Sequence, residues 1–417
     1  MSLDRYVQRR FDLSGTFAVK DVFPYCTPLD DLGVARPGCD ASHSLSFAHY
    51  DYLGLFNDPR IRNAAKDAID QCGVGAGASR LVGGELSLHR KLERRLANLI
   101  GTDDALTMVS GYGTSVSLLG HLLAKDDLIL VDESCHNSVM VGSQSSRATT
   151  LKYHHNDLDH LDELLAAYRG SMRRALIVVE GLYSMDGDIP DLPRLIEIGR
   201  RHDAWVAIDE AHSIGVLGKT GAGLTEHFGI PACEVDMIVG TLSKAFVSCG
   251  GFIAAKQGVI DWLRCTLPGF VYSVGLPPAS AAAARTAIEI LLAEPDRLVR
   301  LKERSEYFLA GAKARGLNTG RAVGAAVIPI LFSSTEEALV AANGALRQGY
   351  FVPPIVQISV PKEFPRLRFF LTAAHEFSQI DGVLDALPAP AEVPVDHAVA
   401  DLAVRSARLA QQQQAVV

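Results

Sequence analysis

Between residues 105 and 255, short apolar runs alternate with stretches of helical period, and this alternation narrows the possible folds more than any other feature. The runs span 105–109, 128–131, 175–180, 205–209, 237–240 and 252–255, with helical patterns at 114–123, 159–168 and 192–202 among them. Strands separated by helices predict an α/β fold with a largely parallel sheet covered on both faces. The crossover rule then gathers the strand C-terminal ends on one edge, where open sheets bind ligands. A chain of 417 residues has room for two such cores. The rest of the chain predicts 1–45 as a helix (3–11) and connector with Pro24, Pro28 and Pro37, 46–285 as a large domain, 286–390 as a smaller α/β domain, and 391–417 as a tail. The tail, with a helix expected at 396–409 and a Gln run from Gln411 to Gln414, has the composition of a disordered segment.

The most informative run is 205–252. Its first half, WVAIDEAHSIGVLG, ends a strand on Asp209 with His212 three residues on; its second, MIVGTLSKAFVSCGGF, ends a strand on Thr241, Ser243 and Lys244 before Gly250-Gly251. A lone lysine on an apolar background is ordinarily a snorkelling surface residue. Here it stands at an expected strand end, between hydroxyls and glycines. An acid and a lysine at neighbouring strand ends are what pyridoxal phosphate chemistry requires: an amine for a Schiff base, and a carboxylate that keeps the pyridine nitrogen protonated.

Other segments admit two interpretations each. Ser110-Gly111-Tyr112-Gly113 is either a plain strand-to-helix turn or a phosphate site at a helix N-terminus. His136 is either a helix cap or a flat partner for a pyridine ring. The loop Gly73-Val74-Gly75-Ala76-Gly77-Ala78-Ser79-Arg80 is either a flexible turn or a place of close backbone approach to a ligand. His212 could donate to a phenolic oxygen, and Thr241 and Ser243 could give hydroxyls to a phosphate. In the strand RLRFFL, one of Arg366 and Arg368 is expected to point inward by period-two alternation and could clamp a carboxylate; the alternative is a solvated edge arginine.

Composition excludes several classes. A net charge of −8 gives no electrostatic case for nucleic acid or anionic membranes. No apolar run of about 18 residues predicts a transmembrane helix, and the charged start MSLDRYVQRRFDL does not read as a signal peptide. Seven cysteines, odd in number and without CxxC, predict a reduced cytoplasmic protein with neither disulfide framework nor zinc site.

The segments DYLGL (51–55), the glycine loop ending in SR, SGY, EGLYSMDGDIPDL, IDEAHSIGVLG, GTLSKAF…GG and RLRFFLTAAHE together resemble the α-oxoamine synthases, over residues 51–387. That resemblance implies the fold type I of pyridoxal phosphate-dependent transferases: a large domain with a mainly parallel seven-stranded sheet and a smaller C-terminal α/β domain. It implies Lys244 as Schiff-base lysine and proton shuttle, Asp209 on the pyridinium nitrogen, His212 on the phenolic oxygen and His136 stacked on the ring. Gly111 and Tyr112 would supply backbone, and Thr241 and Ser243 hydroxyls, to the phosphate, with Ser184 also contacting the cofactor. Arg368 would bind the substrate carboxylate, with Tyr50 and Ser79 on the substrate side. Ser273 would reach the neighbouring subunit's phosphate, implying a homodimer with a shared site. The implied reaction joins a small amino acid (serine, alanine or glycine) to an acyl thioester of CoA or carrier protein, with loss of CO2.

Within the family, EGLYSMDGDIPDL and the glycine loop look closer to serine palmitoyltransferase, and RLRFFLTAAHE to the oxononanoate synthases; an aminobutyrate–CoA ligase type is a further alternative. A pyridoxal phosphate aminotransferase or lyase on the same fold would share the lysine and acid but has no reason to carry His136 together with the EGLYSMDG and LTAAHE segments. A non-catalytic partner subunit would lack the lysine. Three positions depart from the family: Tyr50 where Asn is usual, Val247 where Gly is common, and Gly275 where a second hydroxyl is expected. The segment between Pro353-Pro354 and Arg368 also looks longer than in the oxononanoate synthases.

Overall fold

The computed structural model describes residues 2–7, 44–355 and 365–388. The connector, the tail helix, the Gln run and most of the long segment before Arg368 lie outside them, as does the expected first helix beyond residue 7. The chain divides into two compact units, one of residues 50–302 and 372–374 and one of 1–49, 303–371 and 375–417. The expected border after residue 285 instead cuts helix Pro278–Ala293, which packs against helices Pro59–Cys72 and Ser87–Ile100 of the larger unit. The units divide within helix Asp296–Ala314.

In chain order the strands are β1 (Leu45–Ser46), β2 (Asp104–Met108), β3 (Asp127–Asp132), β4 (Thr149–Tyr153), β5 (Arg174–Glu180), β6 (Trp205–Asp209), β7 (Met237–Thr241) and β8 (Gly251–Ala255), then β9 (Val327–Leu331), β10 (Tyr350–Phe351), β11 (Pro354–Ile355) and β12 (Arg366–Phe370). The larger unit holds a seven-stranded sheet in the order β2-β8-β7-β6-β5-β3-β4. It is parallel from β7 to β4, while β8 runs antiparallel to both β7 and β2. All of β3, β7 and β8 is buried, which is why these strands read as unbroken apolar runs. The edge strand β4, TTLKY, was not expected: it is half-exposed and carries Lys152, so it lacks that signal.

In the smaller unit β1 pairs with β10, and β11-β12-β9 form an antiparallel sheet. The expectation that only one arginine of β12 points inward is corrected here. Arg366 and Arg368 are two residues apart, and a period of two puts them on the same face. Arg366 is buried and Arg368 half-buried. His375 of the LTAAHE segment stacks on Phe47 at 4.3 Å, and burial holds its pKa down at about 4, so it is a neutral core histidine.

Two buried features stiffen the larger unit. In DYLGL, Asp51 accepts from the N–H groups of Leu55 (2.6 Å) and Phe56 (3.0 Å), and Gly54 at φ +66° leaves no room for a side chain against Ala374. Beneath the sheet, Glu93 is enclosed by two arginines. Its Oε1 accepts from Arg80 Nη1 (2.5 Å) and from Thr107 N–H (2.8 Å), and its Oε2 from Arg264 Nη2 (3.2 Å). Arg80, the end of the glycine loop, therefore points into a structural ion network. Breaking a buried network by removing one member leaves an uncompensated charge. Glu93→Ala is expected to cost about 3–5 kcal/mol of unfolding free energy, measured by urea denaturation; a loss within the error of the measurement would show the network to be incidental.

Candidate active site

The C-terminal edge of the sheet builds the site. After β7 the chain folds into a closed loop before β8: Leu242 N–H donates to Gly250 O (2.9 Å), Ser248 N–H to Leu242 O (2.9 Å) and Val247 N–H to Lys244 O (3.0 Å). Lys244 is thus carried on a short hairpin rather than a long crossover, and its Nζ lies 5.6 Å from the Tyr50 ring centre. Val247 closes the turn at φ +42°, a region where a β-branched residue is strained and glycine is not. This accounts for the glycine common at that position.

Asp209 ends β6 and pairs in register with Glu180, the end of β5. Both carboxyls are buried. Burial pushes the Asp209 pKa up, opposed by the Lys244 charge, the Ala211 N–H and His136. Burial and then the Asp209 charge push Glu180 up in turn, against the Ser184 N–H that donates to its Oε2 at 2.9 Å. Two adjoining acids in a dry place call for a further cation.

His136 caps helix Asn137–Ser145, so the cap interpretation holds: its Nδ1 accepts from Ser138 N–H (3.3 Å) and lies 2.8 Å from Ser138 Oγ. The cap also fixes an exposed imidazole beside the strand ends, edge-on to Tyr112 at 6.4 Å. His212, buried, shares a 2.6 Å hydrogen bond between Nδ1 and the hydroxyl of fully buried Tyr52, and lies edge-on to Tyr50 at 5.9 Å. When that hydroxyl donates, the neutral ring carries its proton on Nε2. Tyr52 and Glu180 were not singled out from sequence, although DYLGL and the strand-end EG marked their segments.

Helix Gly111–Leu122 begins three residues earlier than expected, with Ser110 as its cap accepting from Gly113 N–H. Among the described residues, the N–H groups of Gly111 and Tyr112 have no backbone partner. A Cβ on Gly111 would come within 2.6 Å of Thr241 Oγ1, so glycine is what lets this helix end approach β7. Thr241 and Ser243 hydroxyls lie 2.7 Å apart. Free helix N–H groups beside two hydroxyls make a phosphate cradle. The acid pair, the lysine, the cradle and the flat His136 fit pyridoxal phosphate, whose protonated ring nitrogen would be a partner for the acids.

The remaining expected residues are Ser79, Ser273 and Arg368. Ser79 and Val274, next to Ser273, form a bridge between two segments, and Ser79 Oγ is buried without a hydrogen-bond partner. Gly73, Gly75 and Gly77 face open space, so their side chains would meet nothing; the close approach is made at Gly275, where a Cβ would lie 2.8 Å from His89 and 2.9 Å from Ala76. Gly275 therefore cannot carry the expected hydroxyl. Arg368 belongs to the smaller unit, with its guanidinium 4.7 Å over the Phe370 ring.

The loop that carries Ser184 is clamped from behind. His155 lies between Asp132 at the end of β3 (2.9 Å) and Asp188 (3.0 Å), with Tyr183 edge-on at 4.4 Å. Burial alone would lower its pKa, but the two carboxylates outweigh it and raise it to about 10. A raised folded pKa contributes stability that is fully present below the unfolded value of 6.5 and is lost as pH rises through 10. His155→Gln is expected to cost about 3 kcal/mol at pH 6, with the gap to wild type closing by pH 10 in thermal melts; a gap constant with pH would sink the charged clamp. Val247→Gly, which removes the strained φ at the cost of backbone entropy, is expected to raise stability by about 1 kcal/mol in the same melts; a destabilised variant would show the strain to be absent.

The model of the aminotransferase class I and II family matches residues 42–387. Serine palmitoyltransferase of Sphingobacterium spiritivorum is 35% identical, over 90% of this chain and 94% of its own. An 8-amino-7-oxononanoate synthase of Anaeromyxobacter dehalogenans is 41% identical, over 81% of this chain and 84% of its own. A serine palmitoyltransferase variant from S. paucimobilis, solved with pyridoxal phosphate and myriocin, superposes with a TM-score of 0.86 at 25% identity, covering 97% of this chain and all of that one. The expected fold type I is borne out, and among the described residues no helix is long and apolar enough to cross a membrane. The chain belongs to the aminotransferase class I and II family and, within it, to the α-oxoamine synthase group of pyridoxal phosphate-dependent acyltransferases.

Proposed function

We propose that the protein condenses a small L-amino acid, serine in the first instance, with an acyl thioester, releasing CO2 and the thiol to give an α-amino ketone. The observation that carries this is the convergence of Lys244, the Asp209–Glu180 acid pair and the helix 111–122 cradle on one sheet edge, in a chain whose relatives include serine palmitoyltransferases. Pyridoxal phosphate bound there supplies an electron sink for charge left at the amino-acid Cα. Asp209 would hold the ring nitrogen protonated, and His212, oriented by Tyr52, would donate to the phenolic oxygen. Gly111, Tyr112, Thr241 and Ser243 hold the phosphate, with Ser184 beside them. Lys244 is the base that takes the Cα proton and returns one after CO2 has left. His136 orients the incoming acyl carbonyl, so its contribution is largely positional. Arg368 holds the substrate carboxylate, and Tyr50, which shares the Lys244 surroundings, shapes the amino-acid pocket in place of asparagine. Oxononanoate-synthase-type use of alanine is the second reading, supported by the higher identity to those relatives.

The protein acts as a homodimer in this proposal. Val74, Val82, Tyr272 and Val274 are large, apolar and at least 60% exposed, on two segments joined by the Ser79–Val274 bridge. Such a patch marks an interface, and it would carry Ser79 and Ser273 towards the partner's site.

The test is an absorbance titration of the cofactor-loaded protein with glycine, alanine, serine and threonine, followed by acyl thioesters of CoA and carrier protein with product mass analysis. The expected outcome is a saturable change greatest with serine, CO2 release, and an α-amino ketone product. Greatest response to alanine would replace the serine assignment, and amino-group transfer without carbon–carbon bond formation would overturn the condensation. Lys244→Ala is expected to lower turnover by at least about 100-fold; near-normal condensation by the loaded variant would remove Lys244 from the mechanism.

A further inference from the structure

The opposite edge of the same sheet holds a cavity of about 600 Å³ that the chemistry above does not use. It is lined where the parallel strands begin: Asp127 opens β3, Arg174 opens β5, Trp205 opens β6 and Met237 opens β7, with Lys256 just past the end of antiparallel β8. The five residues of β6 carry Trp205 about 13 Å from Asp209, so this is a separate place on the larger unit.

Its walls combine flat apolar surface with cationic groups. Leu122, Leu123, Met237 and Val259 form the apolar lining, and the indoles of Trp205 and Trp262 face the same space. Trp262 is 44% exposed and stacks on His121 at 5.1 Å and 19°. The acids nearby are already engaged. Asp127 is held bidentately by Arg173 and by the Ala124 N–H, and Asp236 accepts from Val206 N–H. Arg174 lies over the Trp205 ring at 5.8 Å and reaches Asp127 only at 3.6 Å, through Nε. Its guanidinium makes no hydrogen bond among the described residues, and the exposed Lys256 ammonium adds a second cation. With Arg173 the cavity carries three cations against two committed acids.

We infer that this cavity is a second ligand site, taking a flat aromatic body that bears one carboxylate or sulfonate. The ring would stack beside the indoles, and Arg174 would grip the anion with paired N–H donors that no protein acceptor claims.

The chain contains two tryptophans and both line the cavity, so intrinsic fluorescence reports on it directly. The probe is 1-anilinonaphthalene-8-sulfonate, titrated into the holoenzyme and followed by quenching of tryptophan emission, with uncharged N-phenyl-1-naphthylamine as its counterpart. Arg174→Ala removes the anion grip. Gly258→Glu places a carboxylate at the cavity wall, where a side chain meets no atom within 4 Å. Saturable quenching is expected, with Kd raised at least about tenfold in each variant and for the uncharged probe, at unchanged melting temperature and turnover. Quenching that does not saturate, a Kd unmoved in both variants, or equal affinity for the two probes would each overturn the site. Trp262→Phe leaves Trp205 as the single reporter; loss of all quenching in a folded variant would confine the probe to the surface beside Trp262 and likewise overturn it.

Discussion

The buried carboxylate of Asp209 is the constraint on which the site depends. Alone among apolar strands it would take up a proton, and Glu180 beside it makes ionisation harder still. The Lys244 ammonium opposes both shifts. In the proposed function, a ring nitrogen that is cationic when protonated would be stabilised beside this acid pair. A carboxylate in that position would favour the protonated, electron-accepting form of the cofactor. A polar strand end would have left the ring to water.

Close approach is the second organising theme. Gly111 lets a helix end touch Thr241, and Gly275 lets two backbone segments meet over His89 and Ala76. Val247 shows the opposite case, a side chain kept where the backbone favours none. The two departures from the family pattern thus have unlike meanings. Gly275 is a steric requirement that forbids the expected hydroxyl, whereas Val247 is a tolerated strain on the loop that carries Lys244. Tyr50 differs from both, since its ring occupies the surroundings of Lys244 and so bears on what may enter.

Much of this was legible because strand ends are marked by a change of residue type. Asp209 and Thr241 close apolar runs directly and Lys244 follows three residues on, and the runs are long enough to fix the strand ends within one or two residues. What escaped lay where the signal is not local. Tyr52 matters through a partner 160 positions away, and His155 through acids 23 and 33 positions off. Edge strand β4 has no apolar run to reveal it. The glycine loop ending in Arg80 admitted a ligand-side interpretation, yet the destination of Arg80 is set by Glu93, 13 positions further on. The pairing of Arg366 and Arg368 was legible in principle and was misjudged on parity alone.

The antiparallel strand β8 explains why the reactive lysine is so well held. His136, Ser184 and His212 follow the parallel strands β3, β5 and β6, whose chains pass through a helix before the next strand. Between β7 and β8 the chain reverses at once, and the ten positions from Thr241 to Gly250 are closed by hydrogen bonds at both ends. Thr241 Oγ1 donates to Gly250 O at 3.0 Å, so the group that presents a hydroxyl to the cradle also ties the base of the loop. The backbone that carries Lys244 is thus tied at both ends of its loop. In the proposed function the Lys244 side chain would do the moving, while the Asp209 carboxylate sits on the neighbouring strand.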